Sequence, residues 1–245
     1  MAYLLQKLRL NEKGCAMAYD VQEIARACDL ALRRLDMVTA NLANAQTPGF
    51  KQEYLLVTGG EGGTEGVKEE RVTDFRPGAL QTTGNRFDLA IEGEGFFVIQ
   101  QANGLAYTRR GDFTLDRDGY LVTQAGERVR GTGGPIQITG GVVGFDRDGT
   151  VLVDGAAVGK LSVVRFKDQR LLTRNASGYF ETNQQGEEVR EPVIKSGFLE
   201  ASNVNVLKEM VNMIDVHRTV EAYQKLIQTI DNEDKQSTGR VGRLA

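Results

Sequence analysis

The 245-residue sequence predicts an α+β chain, with long N- and C-terminal helices around an all-β centre of short antiparallel hairpins. Two observations carry this. Of 29 glycines, 25 lie between Lys51 and Ser202, and proline is absent from 17–47 and from Asn203 onward. The ends are thus free to form long helices, whereas the centre is punctuated by turns every few residues. The apolar residues agree, with heptad spacing at both ends and short β-type runs between them.

In the first helix Val21, Ile24, Cys28, Ala31, Leu35, Val38 and Leu42 alternate spacings of three and four. That pattern is a seam on one helix face, and Pro48-Gly49 is expected to stop it. Residues 1–16 show no such seam and form an extension of uncertain status, so the first helical segment is assigned to 17–50. The stretch 51–73, with glycines at 59, 60, 62, 63 and 66, reads as a linker or loop.

The β region is assigned to 74–202. Phe96-Phe97-Val98-Ile99 is a buried-strand run, while Asp118-Gly119 and Asp148-Gly149 mark hairpins because Asp-Gly readily adopts positive φ. A third hairpin is expected near Tyr179-Phe180. The last segment, 203–245, opens with Asn205 as N-cap and Glu209 in the first turn, where the helix dipole favours an acid. Its apolar positions include Leu207, Met210, Val211, Met213 and Ile214, then Val216, Val220, Tyr223, Ile227 and Ile230.

Composition excludes several functions. With 30 basic and 33 acidic residues interspersed, no patch is set to neutralise phosphates, so no nucleic-acid partner is expected. No apolar run reaches the roughly 20 residues that span a bilayer, which argues against membrane insertion. Lys7, Arg9, Glu12 and Lys13 break any secretory signal core. Two cysteines, Cys15 and Cys28, make neither a disulfide framework nor a zinc set.

The glycine-rich loop lacks the Lys-Ser/Thr of a phosphate cradle and carries Glu61 and Glu65. The Asp-x-Asp-Gly units at 116–119 and 146–149 echo calcium loops but lie between strands and lack the bidentate glutamate. The only histidine, His217, sits in the last helix without a partner base or nucleophile motif. No catalytic residue, cofactor or metal is expected, and the chain reads as no enzyme.

Three ordered blocks carry a resemblance. The first is Ala40-Asn41-Leu42-Ala43-Asn44 followed by Thr47-Pro48-Gly49-Phe50-Lys51. The second runs from Gly84-Asn85-Arg86-Phe87 through Tyr107-Thr108-Arg109-Arg110-Gly111-Asp112-Phe113 to Gly119-Tyr120-Leu121-Val122. The third is Leu199-Glu200-Ala201-Ser202-Asn203-Val204-Asn205, leading through Glu221-Ala222-Tyr223-Gln224-Lys225 to the end. Together they resemble the flagellar rod and hook protein family, with Ala40 where that family usually has Asn. The short stretch between Lys51 and Phe75 and the 241–244 ending look most like its proximal-rod branch, with the distal-rod branch close behind.

The resemblance implies a structural rod subunit of the bacterial flagellar basal body. Its terminal helices would pair in coiled-coil fashion as the inner tube of a helical assembly that transmits torque from motor to hook. Assembly positions on the first helix would be Val21, Ile24, Leu35, Val38, Asn41, Leu42 and Asn44. On the second they would be Met210, Ile214, Val220, Ile227 and Ile230. Implied partners are copies of the chain, other proximal and distal rod subunits, hook–basal-body proteins and the flagellar export apparatus. The implied location is a rod crossing the periplasm, reached without a cleaved signal peptide. A stalked β-rich adhesin or binding module also explains the heptads, but not the three ordered blocks.

Overall fold

A computed structural model of the chain describes residues 2–58 and 68–241, and the side-chain surroundings of 22–58, 69–230 and 232. The loop expected at 59–66, the side chain of Val21 and the ending at 242–244 lie outside the described residues. The fold is α+β and divides into two compact units.

The first unit holds two helices and a hairpin. Helix α1 spans Ala2–Ala43 and α2 spans Val206–Val241. The expected stop at Pro48-Gly49 comes early. Helix α1 ends at Ala43, and a turn follows in which the Thr47 N–H donates to the Asn44 carbonyl at 3.0 Å. The residue before a proline is disfavoured in the α region, so the chain leaves the helix before it reaches Pro48. Asn205 caps α2 as expected, its Oδ1 accepting from the Lys208 N–H at 3.1 Å.

Strands β1 (Glu53–Thr58) and β2 (Lys68–Thr73) form a two-stranded sheet where 51–73 was expected to be linker. The run Tyr54-Leu55-Leu56-Val57-Thr58 suits a pleated strand. The glycines between the strands drew attention away from it. The helices run antiparallel: Asn41 near the end of α1 meets Glu209 near the start of α2, while Ile24 and Ala27 share a cavity with Tyr223 and Ile230. No helix among the described residues is long and apolar enough to cross a membrane.

The second unit comprises 43–52 and 73–204. Its largest sheet is built around the strand Phe96–Gln101, which pairs antiparallel with Gly104–Thr108, Arg128–Gly131 and Val163–Arg165. The run Phe96-Phe97-Val98-Ile99 is buried on both faces, as continuous apolar character predicts. Alternate side chains enter separate cores. Phe97 and Ile99 join Leu89, Phe113, Leu121, Val129 and Ile194, whereas Phe96 and Val98 join Tyr107, Phe166, Leu172 and Phe180.

All three expected hairpins form. Thr114–Leu115 pairs with Leu121–Val122, Val143–Phe145 with Thr150–Val153, and Thr173–Arg174 with Phe180–Glu181. Gly119 and Gly149 take φ of +79° and +86°, the conformation that the turns require. Among the described residues no cluster of His, Cys, Asp or Glu could hold a metal. The turn aspartates are occupied locally. Asp116 Oδ1 accepts from the N–H groups of Asp118 and Tyr120, and the Asp148 carboxylate accepts from Thr150 and Lys160.

Candidate functional site

Each unit contains a polar cluster built from the sequence blocks, and each is described within its own unit. In the helical unit Asn41 acts as a substitute strand neighbour for Glu53. Its Nδ2 donates to the Glu53 carbonyl at 2.7 Å, and its Oδ1 accepts from the Glu53 N–H at 3.0 Å. The side-chain amide thereby satisfies both backbone groups of the first residue in β1. The same Nδ2 lies 3.3 Å from Glu209 Oε2, and Glu209 Oε1 accepts from Asn212 Nδ2 at 3.0 Å. Asn41, Glu53 and Glu209 are all buried, so one amide joins α1, the hairpin and α2. Glu209 was expected to act through the helix dipole; its buried contact with Asn41 is a second role.

In the β unit, 43–52 is clamped against the strand Phe198–Glu200. Gly49 has φ +65°, and a Cβ there would fall 2.5 Å from backbone atoms of Arg109 and Arg110. Only glycine fits this close approach. The Gly49 N–H donates to the Glu200 carbonyl at 2.6 Å.

Lys51, fully buried, makes an ion pair with Glu200 and donates to the Arg76 carbonyl at 2.9 Å. Glu200 also faces Arg109 at 3.4 Å and accepts from the Gly78 N–H at 2.9 Å. Burial pushes the Lys51 ammonium below the usual lysine range, and the attraction of Glu200 opposes only part of that shift. Burial likewise lowers Arg109, against the pull of Glu200 and Glu94. These ions are costly to desolvate, and their hydrogen bonds offset that cost.

Asn203 closes the cluster. Its Oδ1 accepts from the Gln52 N–H at 2.7 Å, and its Nδ2 donates to the carbonyls of Asp74 and Arg76 at 2.8 and 3.0 Å. The Arg174 guanidinium lies 4.2 Å from the centre of the Phe50 ring and donates to the Lys51 carbonyl at 2.7 Å. This is a rigid structural joint. Every polar group here is directed at backbone or a counter-charge, leaving no arrangement of nucleophile and base.

The sequence-predicted positions separate. In α1, Ile24, Leu35, Val38 and Leu42 are half-buried, Asn41 is buried, and Asn44 is half-buried in the turn after the helix. In α2, Val220 is buried, Ile227 and Ile230 are half-buried, and Met210 and Ile214 are exposed. The helical spacing gave no sign of Lys51, Arg109, Glu200, Asn203 or Glu209 as joint residues. The signal was available, because each is a charged or amide side chain inside one of the three ordered blocks.

Comparison with known proteins places these blocks. Residues 25–51 match the family described as flagella basal body rod protein. Residues 90–153 match the flagellar hook protein FlgE/F/G D1 domain, and 195–239 match the flagellar basal body rod FlgEFG protein C-terminal family. The flagellar basal-body rod protein FlgF of Caulobacter vibrioides is 35% identical, over 86% of this chain and 93% of the relative. The flagellar basal-body rod protein FlgG of Bacillus subtilis is 33% identical, over 81% and 89%. FlgF of Escherichia coli is 31% identical, over 89% and 94%. The order agrees with the sequence reading, FlgF first and FlgG close behind. With the three blocks matched in sequence order and near-complete coverage of its relatives, the chain belongs to the flagellar basal-body rod protein family.

Proposed function

We propose that this chain is a structural subunit of the flagellar basal-body rod that polymerises through its terminal helices into an axial tube carrying torque from motor to hook. It catalyses no reaction. The observation that carries the reading is the pairing of family membership with helices that leave apolar side chains in solvent, Leu207, Met210, Val211 and Ile214 among them. Head-to-tail contacts that do not close generate open filaments. The clamped joint at Gly49, Lys51 and Glu200 would then resist rotation where the β unit's two chain crossings meet.

In this reading the segments 17–50 and 203–245 belong to the assembly core, pair in coiled-coil fashion with their neighbours, and leave 74–202 outside. Val21, Ile24, Leu35, Val38, Leu42, Met210, Ile214, Val220, Ile227 and Ile230 are its apolar positions. Partners are further copies, the other proximal and distal rod subunits, hook–basal-body proteins, and the export apparatus that passes the chain across the inner membrane without signal cleavage. The rod crosses the periplasm.

Electron microscopy of basal bodies from a deletion strain tests the reading. Absent or truncated rods, restored by the full-length chain, are expected. Normal rods and normal swimming, with only surface attachment lost, would support the stalked adhesin instead.

A further inference from the structure

The apolar residues of α2 lie on two faces with different surroundings. Val220 is 6% exposed, Val216, Tyr223, Ile227 and Ile230 are half-buried, and Tyr223 and Ile230 line a cavity with Ile24 and Ala27 of α1. This face closes the helix pair within one chain. Leu207, Met210, Val211 and Ile214 are 77%, 44%, 58% and 49% exposed. Their spacing of i, i+3, i+4 and i+7 makes one continuous stripe on the first turns of the helix.

We propose that this stripe is the contact for a second copy of this chain, seating in the cavity lined by Ile24, Ala27, Tyr223 and Ile230 of the next copy. The proposal rests on the reading of the chain as a polymerising rod subunit and assigns its two helix faces separate tasks. The cavity measures about 420 Å³, room for apolar side chains of a neighbour. Stripe and cavity lie at opposite ends of the same antiparallel pair, so the contact is heterologous and repeats from copy to copy without closing.

Charge agrees with this pairing, since Lys208 and Arg218 flank the stripe and Glu23 stands at the cavity rim. Area selects an array over an isolated dimer. The four side chains offer about 400 Å² of accessible surface, near half of the ~800 Å² per partner in a stable stand-alone interface.

Cysteine cross-linking inside assembled basal bodies tests it. In a Cys15→Ser, Cys28→Ala background, full-length chains carrying Val211→Cys and Ala27→Cys are co-expressed and oxidised after purification of basal bodies. Within one chain these positions are separated by roughly 20 Å of helical rise, beyond the ~7 Å limit for a disulfide. The expected product is a band at twice the chain mass, formed only when both cysteines are present.

Val211→Asp is expected to cut incorporation at least about tenfold while the purified chain melts within about 2 °C of wild type, as a surface substitution should. Val220→Asp is expected to lower the melting temperature of the purified chain itself. If Val211→Asp incorporates normally and the chain is present without the cross-link, the stripe is not the contact, although the rod reading stands. A cross-link at another mass would make a different subunit the occupant and overturn the second-copy assignment. Absence of the wild-type chain from basal bodies would remove the rod reading and this proposal with it.

Discussion

The two units solve the problem of apolar surface in opposite ways. In the β unit Leu89, Phe97, Ile99, Leu121, Val129 and Val151 are essentially inaccessible to water, and Phe97 packs edge-on against Phe113 with ring centroids 5.1 Å apart. In the helical unit only Cys28, Ala31, Met37 and Val220 are buried among the described apolar side chains. The difference is geometric. A strand buried on both faces can hide every side chain, whereas two helices meeting along one line hide only the stripes that face each other. The β unit is complete within one chain, and the helical unit depends on packing partners for its remaining apolar surface.

The comparison breaks most readily at Phe97. Phe97→Ala is expected to destabilise the β unit by about 3–5 kcal/mol, since it removes a buried ring and leaves a cavity. Leu207→Ala should change stability by less than about 0.5 kcal/mol because its side chain is already in water. Urea denaturation followed by circular dichroism measures both. Equal effects would erase the distinction between the units.

The buried joint gives the next effect. Lys51→Ala leaves Glu200 short of one counter-charge in a dry site and is expected to cost about 3 kcal/mol. By contrast Lys195→Ala, which breaks a partly exposed pair with Glu92, should cost below about 1 kcal/mol. A small loss at Lys51 would show that Arg109 alone satisfies Glu200.

Asn41 sharpens the comparison on the helical side. Asn41→Asp keeps the acceptor for the Glu53 N–H but removes the donor and places a second carboxylate beside Glu209. A loss of about 1–3 kcal/mol is expected, localised by hydrogen exchange to β1 and the start of α2. Unchanged exchange there would mean that the amide bridge does not hold the hairpin.

The smallest effect concerns an exposed hairpin tip. Asp148 is held down to about 2, first by the Thr150 N–H, then by its hydroxyl and the Lys160 ammonium. Because the folded value lies below the ordinary 3.8, its stabilising contribution is present above about pH 4 and is lost as pH falls through 2. Carboxylate titration by NMR should show Thr150→Val raising the value more than Lys160→Ala does. The reverse order would make the ion pair the dominant cause.

Much of the fold was legible because its signals are local. Asp118-Gly119 and Asp148-Gly149 need only their own φ preferences to form turns, and the Phe96–Ile99 run declares burial on both faces without reference to any neighbour. Asn205 capped its helix as its residue type predicts. The strands β1 and β2 were not legible as a pair, since their glycine-rich connection resembles a linker and strand pairing depends on residues distant in sequence. Heptad spacing located the helices but gave Val220 and Ile214 the same rank.

The sequence by itself determined the order of helix, β region and helix, the hairpin turns and the family, because turn chemistry, periodicity and motif blocks are written in neighbouring residues. Only the tertiary structure decided that Lys51, Arg109 and Glu200 meet in one buried joint, that Asn41 ties β1 to α2, and which apolar positions of α2 remain in solvent. Those outcomes depend on elements brought together from as much as 168 positions apart. Burial, which fixes the electrostatic cost of each ion and the surface left for a partner, exists only once those elements have packed.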